Sequence, residues 1–137
     1  IGIKLELRYE DVPTWLKRIY HNYDFVMNVN YFYQLPDPVL GVHRHYGTDQ
    51  IRKGTHFVNS SRYSNSELDE LLASGATEAN AQKRTQIYKK IQEILARDMP
   101  VVNLFELQFL TVYNTKLKGA YNSALGAYAS FSEAYLD

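Results

Sequence analysis

"YSNSELDELLASGATEANAQKRTQIYKKIQEILARDMPVVNLF", residues 63–105, carries the strongest pattern in the chain. It begins with a predicted capping box at 64–67, in which the hydroxyl of Ser64 can accept a first-turn amide proton and Glu67 can bond back. Gly75 is expected to end this first helix, and a second helix is expected over about 78–98, capped by Thr77. Helical spacing predicts buried faces made of Leu68, Leu71 and Leu72, and of Ile87, Tyr88, Ile91, Ile94 and Leu95.

Upstream of this stretch the apolar residues alternate instead, as they do in strands. Residues 2–9 and 25–31 both show this alternation. Between them, Asp11 can cap a helix that has Pro13 in its first turn and ends near Asn22. Strand, helix and strand within about 30 residues form a βαβ unit, so we expect the two strands to be parallel. The predicted fold class is therefore α/β.

The remaining segments give weaker signals. A turn is expected over 33–38 because two prolines bracket Asp37, followed by a short helix near 38–45. Residues 46–62 have the composition of a long surface loop. Short strands are predicted at Val101–Phe105 and Phe109–Tyr113, and the pattern places no element in 120–137.

Composition excludes several classes of function. The 137 residues suit one domain. Fifteen Lys and Arg balance fifteen Asp and Glu, so nothing favours nucleic acid as a partner. The absence of cysteine excludes disulfides and thiolate chemistry.

The strand pattern begins almost at Ile1, which suggests the C-terminal part of a longer protein. A mature domain that starts just before its first strand is the alternative. In the first case the segment 2–9 would lack its neighbours, and we expect the chain to self-associate through exposed strand edges.

Catalytic motifs are not found. The sequence has no Gly-x-Ser-x-Gly, no HExxH and no phosphate-binding glycine loop, so we expect no enzyme activity and no cofactor. His43 and His45 are too close in sequence to face each other on a helix, although on a strand they would share a face. We therefore expect no metal site there. Asp37 is expected to accept backbone protons in a turn.

The aromatic run after residue 30 is the best candidate for a binding site. Ligands of open α/β sheets bind beyond the carboxyl ends of the strands, where Tyr31, Phe32, Tyr33 and Gln34 would lie. Stiff aromatic side chains with polar tips bury a large area at a small entropic cost. An aromatic cap on the hydrophobic core would explain the same run equally well.

Several stretches in order resemble the C-terminal part of the extracytoplasmic solute-binding proteins of ABC importers, in the family that carries oligopeptides, dipeptides and nickel complexes. The resemblance covers about 1–119. It rests on "IGIKLELR", "TWLKRIY", "YDFVMNVNYFYQLPDP", "YSNSELDELL" and "KRTQIYKKIQEILARDMPVVNLF".

The resemblance implies a type II periplasmic-binding fold, whose two lobes close on a solute and deliver it to a membrane permease. Residues 1–106 would form part of the second lobe, and 107–137 would cross back to the first, upstream lobe. The protein would be periplasmic or otherwise extracytoplasmic. A peptide-like or other small polar solute would be its ligand.

The resemblance also places the site residues. Many peptide-binding members carry a tryptophan at the position of Tyr31 and, three residues later, an aspartate that binds the peptide's ammonium group. This chain has Gln34 there, which argues against free-amine peptides. Asn28 and His45 are further candidates. Two alternatives stay open, an autonomous small α/β enzyme or interaction domain, and a carrier of nickel or a metal complex.

Overall fold

The computed structural model describes residues 2–108, 110–121, 123 and 125–137. Helices are combined with a small antiparallel sheet, which is consistent with the α/β class. The helices are α1 (Val12–Leu16), α2 (Val42–Tyr46), α3 (Ser66–Thr77) and α4 (Ala81–Asp98), and the strands are β1 (Leu117–Lys118) and β2 (Tyr135–Leu136). A π-helical turn, Lys17–Asn22, continues α1, and 3-10 turns lie at Pro38–Leu40, Thr48–Gln50 and Gly126–Tyr128. Among the described helices, none has the length and apolar character needed to span a membrane.

The main core lies between α3 and α4, as the apolar spacing predicted. Leu68, Leu72, Ile91 and Ile94 are buried and pack together. Each such side chain contributes about 1.5–3 kcal/mol by leaving water. Partly buried neighbours complete the cluster: Val42, Tyr46, Tyr63, Leu71, Ile87, Tyr88 and Leu95. Both predicted faces are therefore confirmed, and α2 packs on them.

The caps of the two long helices differ from the prediction. The side chain of Asn65, and not Ser64, caps α3 by accepting the Leu68 amide proton at 3.1 Å. Asn80 caps α4 in the same way, whereas Thr77 is the last residue of α3. Asparagine is at least as good an N-cap as serine or threonine, so a neighbouring asparagine can take the position.

Gly75 does not end α3 in a left-handed conformation. It is buried inside the helix, and a Cβ atom there would lie 3.0 Å from the ring of Tyr88 on α4. The missing side chain therefore lets the two helices approach closely. Helix α4 stops as expected before Pro100, with Met99 in the left-handed region at φ 43°.

The predicted strands are not formed in the structure, so the βαβ unit is wrong. No strand is formed by residues 2–9, 25–31, 101–105 or 110–113, and Phe109 lies outside the described residues. A strand is stable only when a neighbour pairs with its backbone groups. No described segment pairs with them, and most of their apolar side chains are exposed, as in Leu5 (59%) and Leu104 (67%), whereas Phe25 is partly buried. The expected self-association and the division at residue 106 stay predictions.

The helix between these two segments is confirmed. Asp11 caps it by accepting the Thr14 amide proton at 3.1 Å, and the helical turns end at Asn22. Ile19 and Tyr20 on its buried face form a second cluster with Val58. This cluster therefore joins the helical turns over 12–22 to the loop 46–62.

The loop 46–62 is largely irregular, as predicted, but it is well anchored. The buried Asn59 donates to the carbonyl oxygens of Gly47 and Tyr63 at 3.0 and 2.8 Å. The amide of Gly54 donates to the carbonyl of Tyr20 at 2.8 Å. The loop is therefore fastened both to the start of α3 and to the end of the first helix.

Asp98 links the two ends of the helical hairpin, and its loss should change acid stability. Its carboxylate accepts from Arg97 at 2.8 Å, from the Tyr63 hydroxyl at 2.6 Å and from Asn65 at 3.0 Å. The Arg97 hydrogen bond, then those from Tyr63 and Asn65, lower the pKa of Asp98 to about 2. The stabilisation is thus present above the unfolded-state pKa near 3.9 and is lost as the pH falls towards 2.

We expect Asp98→Asn to reduce the loss of stability between pH 5 and pH 2.5. Urea-unfolding midpoints at the two pH values measure this loss. Glu106→Gln, which changes an exposed carboxylate outside the helices and strands, is the control. Equal acid sensitivity of wild-type protein and the Asp98 variant would refute the proposed role of this carboxylate.

Candidate ligand-binding site

A turn after residue 35 folds the chain back so that α2 lies against the aromatic run. Asp37 starts the turn by accepting the amide proton of Val39 at 2.9 Å, as expected for this residue. Arg84 on α4 donates to the same carboxylate at 2.8 Å, and this ion pair lowers the pKa of Asp37. Arg84 also donates to the carbonyl of Gly75 at 2.9 Å. The turn is therefore fixed to the main core.

His45 on α2 is the centre of the candidate site. Its ring lies against Phe32, with ring centroids 3.8 Å apart and an angle of 42° between the planes. Its Nδ1 atom is 3.2 Å from Nε2 of Gln34. Only 3% of His45 is exposed. Three of the six predicted site residues, Phe32, Gln34 and His45, are thus brought together.

Gly41, which no sequence motif indicated, makes this arrangement possible. It is buried at the start of α2, and a Cβ atom there would overlap the side-chain oxygen of Gln34. A side chain at this position would therefore displace Gln34. A glycine inside the predicted short helix near 38–45 was the available signal, because a glycine in a helical pattern often has a packing reason.

The protonation state of His45 follows from its burial. Desolvation, with a smaller contribution from the charge of Arg44, lowers the pKa of His45 to about 4. The ring is therefore neutral near pH 7. With the Gln34 amide donating to Nδ1, the remaining ring proton is on Nε2. This N–H group is buried and has no acceptor within the described part of the chain.

Arg44 adds a second buried donor. Its Nη2 atom donates to the carbonyl oxygen of Tyr33 at 3.0 Å, which holds the aromatic run against α2. Its Nε–H group is buried without an acceptor among the described residues. The sequence does not indicate Arg44, because its partner is a backbone carbonyl, which no side-chain motif reveals.

The other predicted site residues make different contacts. Tyr31 is 61% exposed, and its amide donates to the side chain of Asn30 at 2.8 Å. The ring of Tyr33 meets that of Tyr128 edge-on, with centroids 5.7 Å apart. Asn28 is half-buried and does not take part in these contacts. Within the described part of the chain, Phe32 is the member of the aromatic run that packs against His45.

His43 points to a different partner, as its helical position requires. Its Nε2 atom is 3.0 Å from the Tyr88 hydroxyl on α4, whereas His45 bonds to Gln34. The two histidines therefore do not share a site. In the regions that the structure describes, no group of three or more His, Cys, Asp or Glu side chains is placed to hold a metal ion.

A groove of about 540 Å³ lies between the turn at Asp37 and the connection from α3 to α4. Its charged groups are engaged with protein partners. Asp37 and Arg84 pair with each other, and Glu78 accepts the amide proton of Asn80 at 2.7 Å. We therefore place the candidate site at His45 and not in this groove.

Comparison with known proteins gives one partial similarity. The chain is 26% identical over 78 residues to the peptide transport periplasmic protein SapA of Haemophilus influenzae. The aligned region is 57% of this chain and 14% of SapA. No family model matches the chain, and no solved structure matches it.

Proposed function

We propose that this chain is part of the second lobe of an extracytoplasmic solute-binding protein, which captures a peptide-like solute and passes it to an ABC permease. It performs no chemistry on the solute. The partial similarity to SapA supports transport as the role. The pair of buried donors on α2, His45 Nε2–H and Arg44 Nε–H, is the observation that supports binding.

These donors favour a ligand that brings acceptor oxygens. A buried donor without a partner costs about 1–3 kcal/mol, and a carbonyl or carboxylate oxygen would remove that cost. An ammonium group would meet donors and the positive charge of Arg44 instead. Gln34, which replaces the carboxylate of peptide-binding relatives, is already bonded to His45. The site therefore prefers a blocked or acidic peptide-like solute to one with a free amine.

Access to the donors requires movement of the aromatic run. Both donor atoms are buried, and Phe32 covers the His45 ring. Residues 28–35 belong to no helix or strand, so they can shift without breaking a ladder of hydrogen bonds. A solute would then bind as this segment opens and would stabilise the arrangement in which it contacts both donors.

Calorimetric titration of the complete gene product tests this proposal, because the chain aligns to only 14% of SapA. The probes are a set of tripeptides, each in its free-amine form and in its N-acetylated form. We expect the acetylated forms to bind about tenfold more tightly, which corresponds to roughly 1.4 kcal/mol. Binding of neither form, or tighter binding of the free-amine forms, would argue against the proposed solute class.

A further inference from the structure

Two histidines that are 35 positions apart in sequence contact each other beside the second hydrophobic cluster, which contains Ile19, Tyr20 and Val58. His21 lies in the π-helical turn after α1, and His56 lies in the loop 46–62. Their Nε2 atoms are 3.1 Å apart, and their ring centroids are 5.3 Å apart. Both residues are exposed, so an ion from solution can reach the ring nitrogens.

We infer that His21 and His56 form a binding site for a divalent first-row transition-metal ion such as Zn²⁺, with water completing the coordination. Zn²⁺ binds histidine nitrogens at 2.0–2.1 Å with tetrahedral geometry, so two such nitrogens on one ion lie roughly 3.3–3.4 Å apart. The observed separation of 3.1 Å is slightly shorter, so a small movement of either ring would admit the ion. Neutral imidazole is also a ligand type that suits zinc, copper and nickel.

The backbone around the two histidines holds them in this position before any ion binds. The amide of Gly54 donates to the carbonyl of Tyr20 at 2.8 Å, which fastens the loop to the residue next to His21. The buried ring of Tyr20 also packs against His56, with centroids 5.8 Å apart. Both histidines are therefore held in place through the same buried tyrosine, Tyr20. Little ordering of the chain is needed when the ion binds.

The groove around the two histidines determines how tightly a metal ion can bind. The histidines line an open groove of about 340 Å³ together with Pro13, Leu16 and Lys17. Two protein ligands leave positions for water, and the positive charge of Lys17 opposes a cation. We therefore expect moderate affinity. A hydrogen bond between two neutral imidazoles would give the same separation without any ion, and the experiment must distinguish the two arrangements.

Calorimetric titration with Zn²⁺ makes this distinction, with Mg²⁺ as a control ion that prefers oxygen ligands. We expect one Zn²⁺ site per chain and no heat from Mg²⁺. His21→Gln and His56→Gln should each weaken Zn²⁺ binding at least about tenfold, since even outer-shell partners change metal affinity by 10–100-fold.

His43→Gln is the matched control, because His43 faces Tyr88 and not this groove. Its Zn²⁺ affinity should equal that of the wild-type chain. Circular dichroism confirms that each variant is folded. Absence of Zn²⁺ binding to the wild-type chain would overturn the inference, and so would binding that persists in both the His21 and the His56 variants. Neither result depends on the solute-binding proposal.

Discussion

Replacing Ile91 with alanine should lower the free energy of unfolding by about 2–5 kcal/mol. Ile91 is 1% exposed. It packs in one cluster with Leu68 and Leu72 of α3 and with Ile94 of its own helix, α4. The substitution removes buried methyl and methylene groups and leaves a cavity, because the surrounding helices can relax only in part. Chemical denaturation, followed by circular dichroism, measures the change.

Lys90→Ala is the matched control for this substitution. Lys90 precedes Ile91 on the same helix but faces solvent. Removal of its side chain should change the stability by no more than about 0.5 kcal/mol. Similar losses in the two variants would show that the α3–α4 interface does not supply the main stability of the chain.

Acidification from pH 7 to pH 4 should destabilise the protein by about 3 kcal/mol through His45 alone. Burial lowers its pKa in the folded chain to about 4, from 6.5. Between these values the unfolded chain binds the proton and the folded chain does not. The stabilisation is therefore complete above pH 6.5 and is lost as the pH falls through this window.

His45→Asn isolates this effect. The side-chain oxygen of the asparagine can occupy the position of His45 Nδ1 and accept a hydrogen bond from Gln34. Asparagine takes up no proton in this pH range. The variant should lose less stability than the wild-type chain between pH 7 and pH 4. Burial also lowers the pKa of His43, so some acid sensitivity should remain. If both proteins show the same pH dependence, His45 is not buried as the structure describes.

Helices whose apolar spacing and capping residues lie within one short segment were predictable. The faces of α3 and α4 follow from apolar spacing over some thirty residues, and the cap at Asp11 from its position before Pro13. The segments 2–9 and 25–31 show the limit of such patterns. Alternation indicates which face a strand would bury, but a strand also needs a partner, and the partner is not encoded in the segment itself.

The candidate site was predictable only in part, for a similar reason. The sequence indicated Phe32 and Gln34 as residues beyond the end of a predicted strand that is not formed, and His45 as a further candidate. Their contact depends on the small size of Gly41 and on the bond from Arg44 to the backbone of Tyr33. Neither interaction has a motif. The meeting of His21 and His56 likewise arises from the Tyr20–Gly54 hydrogen bond between distant segments.

Solute binding at His45 is the central claim, and the His45→Asn variant of the complete protein tests it most directly. Calorimetric titration with the tightest N-acetylated tripeptide should give at least about tenfold weaker binding than wild-type protein, because one hydrogen bond to the solute is lost. His43→Gln, on the same helix but bonded to Tyr88, should bind like wild-type protein. Equal affinity of His45→Asn and wild-type protein would contradict the account.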